Sequence, residues 1–242
     1  MKILLLADEE CKTLWDYYRP GMFDEYGMIL AAGDLRSEYL TFIVTLSNKP
    51  VVYVPGNHDT RYAEKPPEGC ICADDDLVTV KGIRIAGFGG CAYYNGGKYQ
   101  YTEKAMERRM AKLKGKIARA GGVDIVLTHA APKGLGDDTD YCHRGFEAFL
   151  RFMDRYQPAY LVHGHVHMNY GQKMERIHHY GKTTIINAFQ KYELETDLPR
   201  GEETQRADRD VRKALDKVSC FFQNLRELIQ EDYSEEVRKK DS

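Results

Sequence analysis

Five short apolar runs in this chain each stop abruptly at residues that carry chemistry, and this repetition limits the fold more than any other feature. Lys2–Ala7 runs into Asp8-Glu9-Glu10, Gly27–Ala32 into Gly33-Asp34, and Val51–Val54 through Pro55 into Gly56-Asn57-His58-Asp59. Asp124–Leu127 stops at Thr128-His129, and Ala159–Val162 at His163-Gly164-His165-Val166-His167. Runs this short, apolar at successive positions, read as strands buried on both faces, which calls for helices packed over a sheet. The expected class is therefore α/β, with its chemistry on the loops beyond the strand ends, where a rigid core holds exposed residues.

Length and charge fit one such domain with an appendage. The chain has 242 residues and a formal net charge of −2, so its overall charge gives no pull toward nucleic acid or an anionic membrane. The N-terminal apolar run is too short for a signal-peptide core and meets three acids at once, and no stretch is long enough to span a bilayer. The six cysteines are scattered without a CxxC pair. A reduced, cytoplasmic protein is the expectation.

Between the five runs, Leu77–Val80 and Ile83–Phe88 flank Lys81-Gly82 as a hairpin. Cys91–Tyr101, with Tyr93, Tyr94, Tyr99, Tyr101 and Gly96-Gly97, reads as a mobile aromatic loop that either stacks on a flat ligand or packs over the sheet edge. Helical spacing of Met106, Met110, Leu113 and Ile117 predicts one helix over Thr102–Ala120. Its other faces carry Lys104, Arg108, Arg109, Lys112, Lys114, Lys116 and Arg119, read as a solvated surface rather than a phosphate-attracting patch. A Gly- and Asp-rich loop follows at Gly134–Tyr141, then an amphipathic helix at Gly145–Tyr156 and a closing hairpin at Met174–His179 and Thr183–Ala188. From about Lys191 the composition becomes charged and loses strand character. The expected organisation is a domain over 1–190, a linker over 191–206 and a C-terminal amphipathic helix over 207–240. Val211, Leu215, Val218, Phe222, Leu225 and Ile229 form a heptad seam there, which either packs on the domain or pairs with a second copy as a homodimer.

The strand-end residues have bland readings one at a time. The acids at 8–10 and Asp34 could cap the helices that follow. Alternatively, Asp8 and Glu10 point the same way and need a cation between them. His165 and His167 alternate about one residue, so an extended backbone would present both imidazoles on one side, as metal ligands are presented. Collected, Asp8, Glu10, Asp34, Asn57, His58, His129, His165 and His167 supply carboxylates, an amide oxygen and imidazoles. Mixed oxygen and nitrogen donors without cysteine suit Mn²⁺, Fe²⁺, Zn²⁺ or Co²⁺ and not a structural zinc cage. The donors are too many for one ion. Two ions roughly 3.5–4 Å apart would share a carboxylate and a bridging hydroxide, a clamp for displacement at phosphorus.

In this order, the blocks resemble the calcineurin-like metallophosphoesterases, whose signature runs D-x-H, G-D, G-N-H-[DE], a lone His, then G-H-x-H. The stretch Leu127–Asp138, LTHAAPKGLGDD, is similar to the loop of the small branch that holds the class III cyclic-nucleotide phosphodiesterases. The resemblance implies a four-layer β-sandwich flanked by helices, here with the C-terminal helical appendage. It implies that Asp8, Asp34, His167 and position 10 hold one divalent ion, and that Asp34 bridges to a second held by Asn57, His129 and His165. His58 would stand beside the scissile phosphate as proton donor or charge stabiliser. Two departures occur. Glu10 replaces the family's histidine, which favours harder ions, Mn²⁺ before Fe, Zn, Ni or Co, and Ala130-Ala131 replaces Gly-Pro in the loop.

Two functions from different classes follow. One is a dinuclear phosphoesterase, acting as a phosphodiesterase on a small-molecule or nucleotide phosphoester by in-line attack of a bridging hydroxide. The other is a metal-binding regulatory or scaffold protein, its catalysis weakened at Glu10, that acts through its C-terminal helix. Nucleic-acid binding through Arg108 and Arg109 ranks behind both.

Overall fold

The run Lys2–Ala7 becomes strand β1, and every residue from Ile3 to Ala7 is buried. In the computed structural model, which describes residues 1–168 and 175–198, β1 is an interior strand of the first of two sheets. Parallel strands β2 (Tyr26–Ala31), β3 (Val51–Tyr53) and β4 (Ile71–Cys72) continue that sheet to one side. The hairpin β5 (Leu77–Val80) and β6 (Ile83–Phe88) starts the second sheet. A small ribbon, β7 (Cys91–Ala92) with β8 (Gln100–Tyr101), intervenes before β9 (Ile125–Thr128), β10 (Tyr160–His163), β11 (Ile177–Tyr180) and β12 (Thr183–Asn187) complete it. The order across it is β11-β12-β10-β9-β6-β5, with parallel pairing along β12-β10-β9-β6.

Alternation along each strand divides the core into layers. Ile3, Leu5, Met28, Leu30 and Val52 face Ile85, Ile125, Leu127 and Val162 of the second sheet. Leu4, Leu6 and Ile29 point the other way and pack under helices α1 (Lys12–Trp15) and α2 (Ser37–Ser47), on Leu14, Tyr39, Leu40 and Ile43. The outer face of the second sheet packs Phe88, Val126 and Leu161 on Met106, Ile117, Phe149 and Phe152. These come from α3 (Glu103–Lys112), α4 (Lys114–Ala120) and α5 (Glu147–Tyr156). The result is the helix-sheet-sheet-helix sandwich that the sequence led us to expect. Each buried leucine or isoleucine contributes about 1.5–3 kcal/mol to holding it together.

Four sequence readings need correction. The stretch after 190 does not lose strand character: Gln190–Glu195 is β13, antiparallel to β1 with Leu4 opposite Glu193 and Lys2 opposite Glu195. It is an edge strand, tied by backbone bonds to a buried partner, so its own side chains can stay charged. The helix expected over Thr102–Ala120 is two helices that meet at Leu113. Arg109, placed with the solvated cations, is 5% exposed, its guanidinium bonded to Asp74, Asp75 and the Gly89 carbonyl and stacked 4.0 Å from the Tyr101 ring. An arginine so enclosed cannot reach a nucleic acid. The segment read as a mobile aromatic loop is tied down by Gln100, whose Oε1 accepts from the backbone N–H of Tyr94, Asn95 and Gly96 at 3.1–3.2 Å.

All described residues belong to one compact unit, Met1–Glu202. Met174, residues 199–206 of the expected linker and the expected helix over 207–240 lie outside the described residues. Among the described residues, no helix is long and apolar enough to cross a membrane.

Candidate metal centre

The strand exits meet at one edge of the sandwich, and their backbones are bent to do so. Asp8, Asp34 and His165 all take left-handed conformations, with φ of 66°, 56° and 69°. For residues other than glycine this conformation costs about 1–3 kcal/mol, and such strain gathers at functional sites. It also changes the reading of the last block. His165 is not extended, so the alternation expected for His165 and His167 does not describe the pair. His165 turns inward and is buried, while His167 is exposed beside Phe189, with ring centroids 5.1 Å apart.

Asp34, His129 and His165 offer ligand atoms within 4.8 Å of one another. Around His129 the bonding pattern selects a cation. Its Nδ1 lies 2.7 Å from the Ala32 carbonyl, which makes that nitrogen the N–H donor. Nε2 then faces Asn57 Oδ1 at 3.0 Å and Asp34 Oδ2 at 3.3 Å. A neutral imidazole would set its lone pair against two oxygen lone pairs, so a positive charge has to lie among them, either a proton or a metal ion. Burial pulls the His129 pKa down, but Asp34 and then Asp8 outweigh it and hold it at about 9. Burial likewise opposes ionisation of Asp34, yet His129 and the His58 N–H lower it to about 2.

Asp8 completes the case for a metal. Its Oδ1 accepts the His165 N–H at 2.8 Å, whereas Oδ2 is buried without a partner. Burial raises this carboxyl to about 6 against the pull of His129. An orphaned buried carboxylate oxygen beside a histidine cluster fits a role as a donor to a divalent ion. His165 is suited to the same task. Burial and the charge of His129 lower it to about 3, so its imidazole is neutral, and with Nε2 donating to the Cys142 carbonyl at 2.9 Å it keeps a lone pair on Nδ1.

The remaining expected residues are placed as follows. Asn57 is buried and joined to His129, and its Nδ2 lies 3.4 Å from the Tyr94 hydroxyl. His58 is exposed, with its backbone N–H given to Asp34 Oδ1 at 2.8 Å. Glu10 is not in the cluster: it holds Arg36 in a two-point ion pair, with Arg36 Nε 2.6 Å from Oε1.

Sequence reasoning missed the residues that brace the site. Asp59 is buried, and its Oδ2 accepts from the backbone N–H of Gly56 at 2.7 Å and of Asp34 at 2.8 Å, buckling the second loop to the third. The fourth position of Gly-Asn-His-Asp was the available signal. Burial, with Asp34 nearby, raises Asp59 to about 7. His143 lies over His165 with ring centroids 4.9 Å apart, and its Nδ1 is 2.6 Å from Asp140 Oδ2. Nothing in the Gly- and Asp-rich run that precedes it announces that role.

Gly56 is required by the closeness of these loops. A Cβ there would fall 2.5 Å from Asp34 Cγ and 2.6 Å from Asp34 N. Gly56→Ala is expected to destabilise the protein by about 1–3 kcal/mol through this overpacking. An unchanged denaturant midpoint would show that the loop yields freely.

A sequence model of the calcineurin-like phosphoesterases matches residues 13–169, a span that begins after Asp8 and Glu10. A UPF0046 protein of Caenorhabditis elegans is 26% identical over 188 residues, covering 67% of this chain and 62% of that protein. The human metallophosphoesterase domain-containing protein 1 is 32% identical over 122 residues, 49% of this chain and 34% of the relative. The chain thus matches about three fifths and one third of these relatives' lengths. The crystal structure of TT1561 of Thermus thermophilus superposes with a TM-score of 0.52 at 16% identity, over 78% of this chain and 88% of that one. Another solved structure reaches 0.59 at 14% identity, over 78% and 90%. These structures share the fold. With well over half of its length matched by that family's model, this chain belongs to the calcineurin-like phosphoesterase family.

Proposed function

We infer that this protein is a two-ion metallophosphoesterase that hydrolyses phosphodiesters. Membership of the family implies divalent ions and a phosphoester substrate. The observation that carries the finer reading is the convergence of His129 Nε2, Asp34 Oδ2 and Asn57 Oδ1 on one point, 3.0 and 3.3 Å apart, with the unpartnered Asp8 oxygen in the same cluster. Asp34, Asn57, His129 and His165 are the residues to hold one ion, and Asp8, Asp34 and His167 the other. The chemistry that bound divalent ions supply is a water activated for attack at phosphorus and neutralisation of phosphoryl charge. Three oxygen-bearing residues and three imidazoles suit borderline divalent ions such as Mn²⁺, Fe²⁺, Zn²⁺ or Co²⁺. Asp59 keeps the second and third loops in register, and the exposed His58 side chain donates a proton to the leaving ester oxygen.

The test is hydrolysis of bis-p-nitrophenyl phosphate and p-nitrophenyl phosphate by metal-stripped protein reloaded with Mn²⁺, Fe²⁺, Zn²⁺, Ni²⁺ or Co²⁺. We expect metal-dependent cleavage of the diester at two ions per chain. His58→Ala should lower it by about 10²–10⁴-fold, the range for a lost general acid, without changing metal content. Two ions bound and neither ester cleaved would overturn the proposal.

One observation favours a second reading. Because Glu10 is committed to Arg36, the site that lacks the family's histidine is short of a donor. One ion per chain with no phosphoester hydrolysis would support a metal-binding regulatory or scaffold protein. In that case Arg36→Ala, which frees Glu10, should raise metal content.

A further inference from the structure

A cavity of about 420 Å³ is lined among others by Tyr93, Tyr101, Lys133, Tyr141, Arg144 and Phe146. We propose that it is the subsite for a flat aromatic group carried on the phosphodiester, with Tyr93, Tyr141 and Arg144 as its specificity residues; this rests on the phosphodiesterase reading above.

Continuity with the centre is the first support. One wall is the segment in which Tyr93 precedes Tyr94, whose hydroxyl lies 3.4 Å from Asn57 Nδ2. On the other, Tyr141 and Arg144 bracket Cys142 and His143, and these two touch His165 through a 2.9 Å bond and a 4.9 Å ring contact. Each wall of the cavity is thus one residue along the chain from a group that touches a candidate ligand.

The lining says what the cavity would take. Its volume is within the usual range for small-ligand pockets, which are mostly apolar and aromatic with a few placed polar groups. Tyr93 and Tyr141 are 49% and 56% exposed, two of only four large hydrophobics so exposed among the described residues, and both are at this cavity. Tyr101 is held by the guanidinium of Arg109, 4.0 Å from its ring. Phe146 is buried. Rings lining a cavity offer a planar group contact area without the ordering of long side chains.

Charge narrows the choice. The acids of the lining are already engaged, Glu103 by Arg151 at 2.8 Å and Glu147 by Lys133 at 3.8 Å. Arg144 has no carboxylate partner among the described residues; it bonds the Tyr141 carbonyl at 3.3 Å and lies over the Tyr141 ring at 4.2 Å. Its planar guanidinium thus presents a flat cationic surface, which favours an electron-rich ring over an alkyl chain.

The full chain loaded with Mn²⁺ is tested by equilibrium dialysis against diphenyl phosphate and dimethyl phosphate, two anions that share the phosphoryl group and differ in their rings. Diphenyl phosphate should bind about tenfold tighter or more, the effect of one good stacking contact. The ratio should fall by about fivefold or more in Tyr141→Ala and in Arg144→Ala, and Tyr141→Phe, which keeps the ring, should restore it. Both residues are at the surface, and circular dichroism verifies that the variants fold. A ratio near one in the wild type, or an undiminished ratio in the Tyr141→Ala/Arg144→Ala double variant, would overturn the assignment. Ring preference without turnover of bis-p-nitrophenyl phosphate would refute the hydrolase reading and leave the subsite standing; turnover without ring preference would do the reverse.

Discussion

Asp34→Asn is expected to lower phosphodiester turnover by about a thousandfold or more, the consequence of losing several kcal/mol of charge stabilisation at the transition state. The substitution is chosen to separate charge from structure. Asparagine tolerates the left-handed backbone that this position adopts at φ 56°. Its amide oxygen can still accept the His58 N–H, bonded at 2.8 Å in the native protein, and its NH₂ can face His129 Nε2. What is lost is the negative charge that the proposed centre shares between its two ions. Metal content, measured on the same sample, should fall with activity. Turnover within tenfold of the wild type, in a variant of native circular dichroism, would show that Asp34 is not a metal ligand.

Arg109→Ala should cost about 3–5 kcal/mol of stability, the range for removing one partner of a buried ion pair. Arg109 joins α3 to the loop that follows β4, through Asp74 at 2.5 Å and Asp75 at 2.7 Å, and to the Gly89 carbonyl at 2.7 Å. Truncation leaves Asp74 without its countercharge. Burial already holds the Asp74 pKa above the ordinary value, with Arg109 the main opposing influence, so the variant raises it further. A carboxyl whose folded-state pKa is raised binds its proton more tightly in the native state. Its stability penalty is therefore largest where it is ionised and shrinks as pH falls through that pKa. The deficit of Arg109→Ala relative to the wild type should accordingly narrow from neutral pH toward the acid range. Arg109→Lys should recover only part of the loss, since an ammonium cannot reproduce a fork that reaches two carboxylates and a carbonyl. Urea unfolding at several pH values measures both effects, and a deficit below about 1 kcal/mol would place Arg109 with the solvated cations after all.

Much of the order of strands and helices was legible because it is written in local pattern. Ile3–Ala7, Val51–Val54 and Ile125–Leu127 are apolar at consecutive positions, which only a strand buried on both faces requires, and Met106, Leu113 and Ile117 recur at helical spacing. β13 was illegible for the opposite reason. Its stability comes from pairing with β1, so only Leu194 had to be buried and the charged residues around it resemble a linker. Arg109 shows the same limit: a cation on an amphipathic helix looks identical whether its guanidinium meets water or Asp74.

By itself, the sequence determined which chemical groups stand at the strand exits: Asp8, Asp34, Asn57, His58, His129, His165 and His167 follow short apolar runs, and residue type and order are properties of the chain. The tertiary structure alone decided which of these groups meet. The left-handed turns at Asp8, Asp34 and His165, the Asp59 buckle between loops, the withdrawal of Glu10 to Arg36 and the placing of His143 against His165 each join residues far apart in the chain or set by backbone angles. Such contacts depend on distances across the sandwich, which are fixed only when both sheets have packed and which no local pattern encodes.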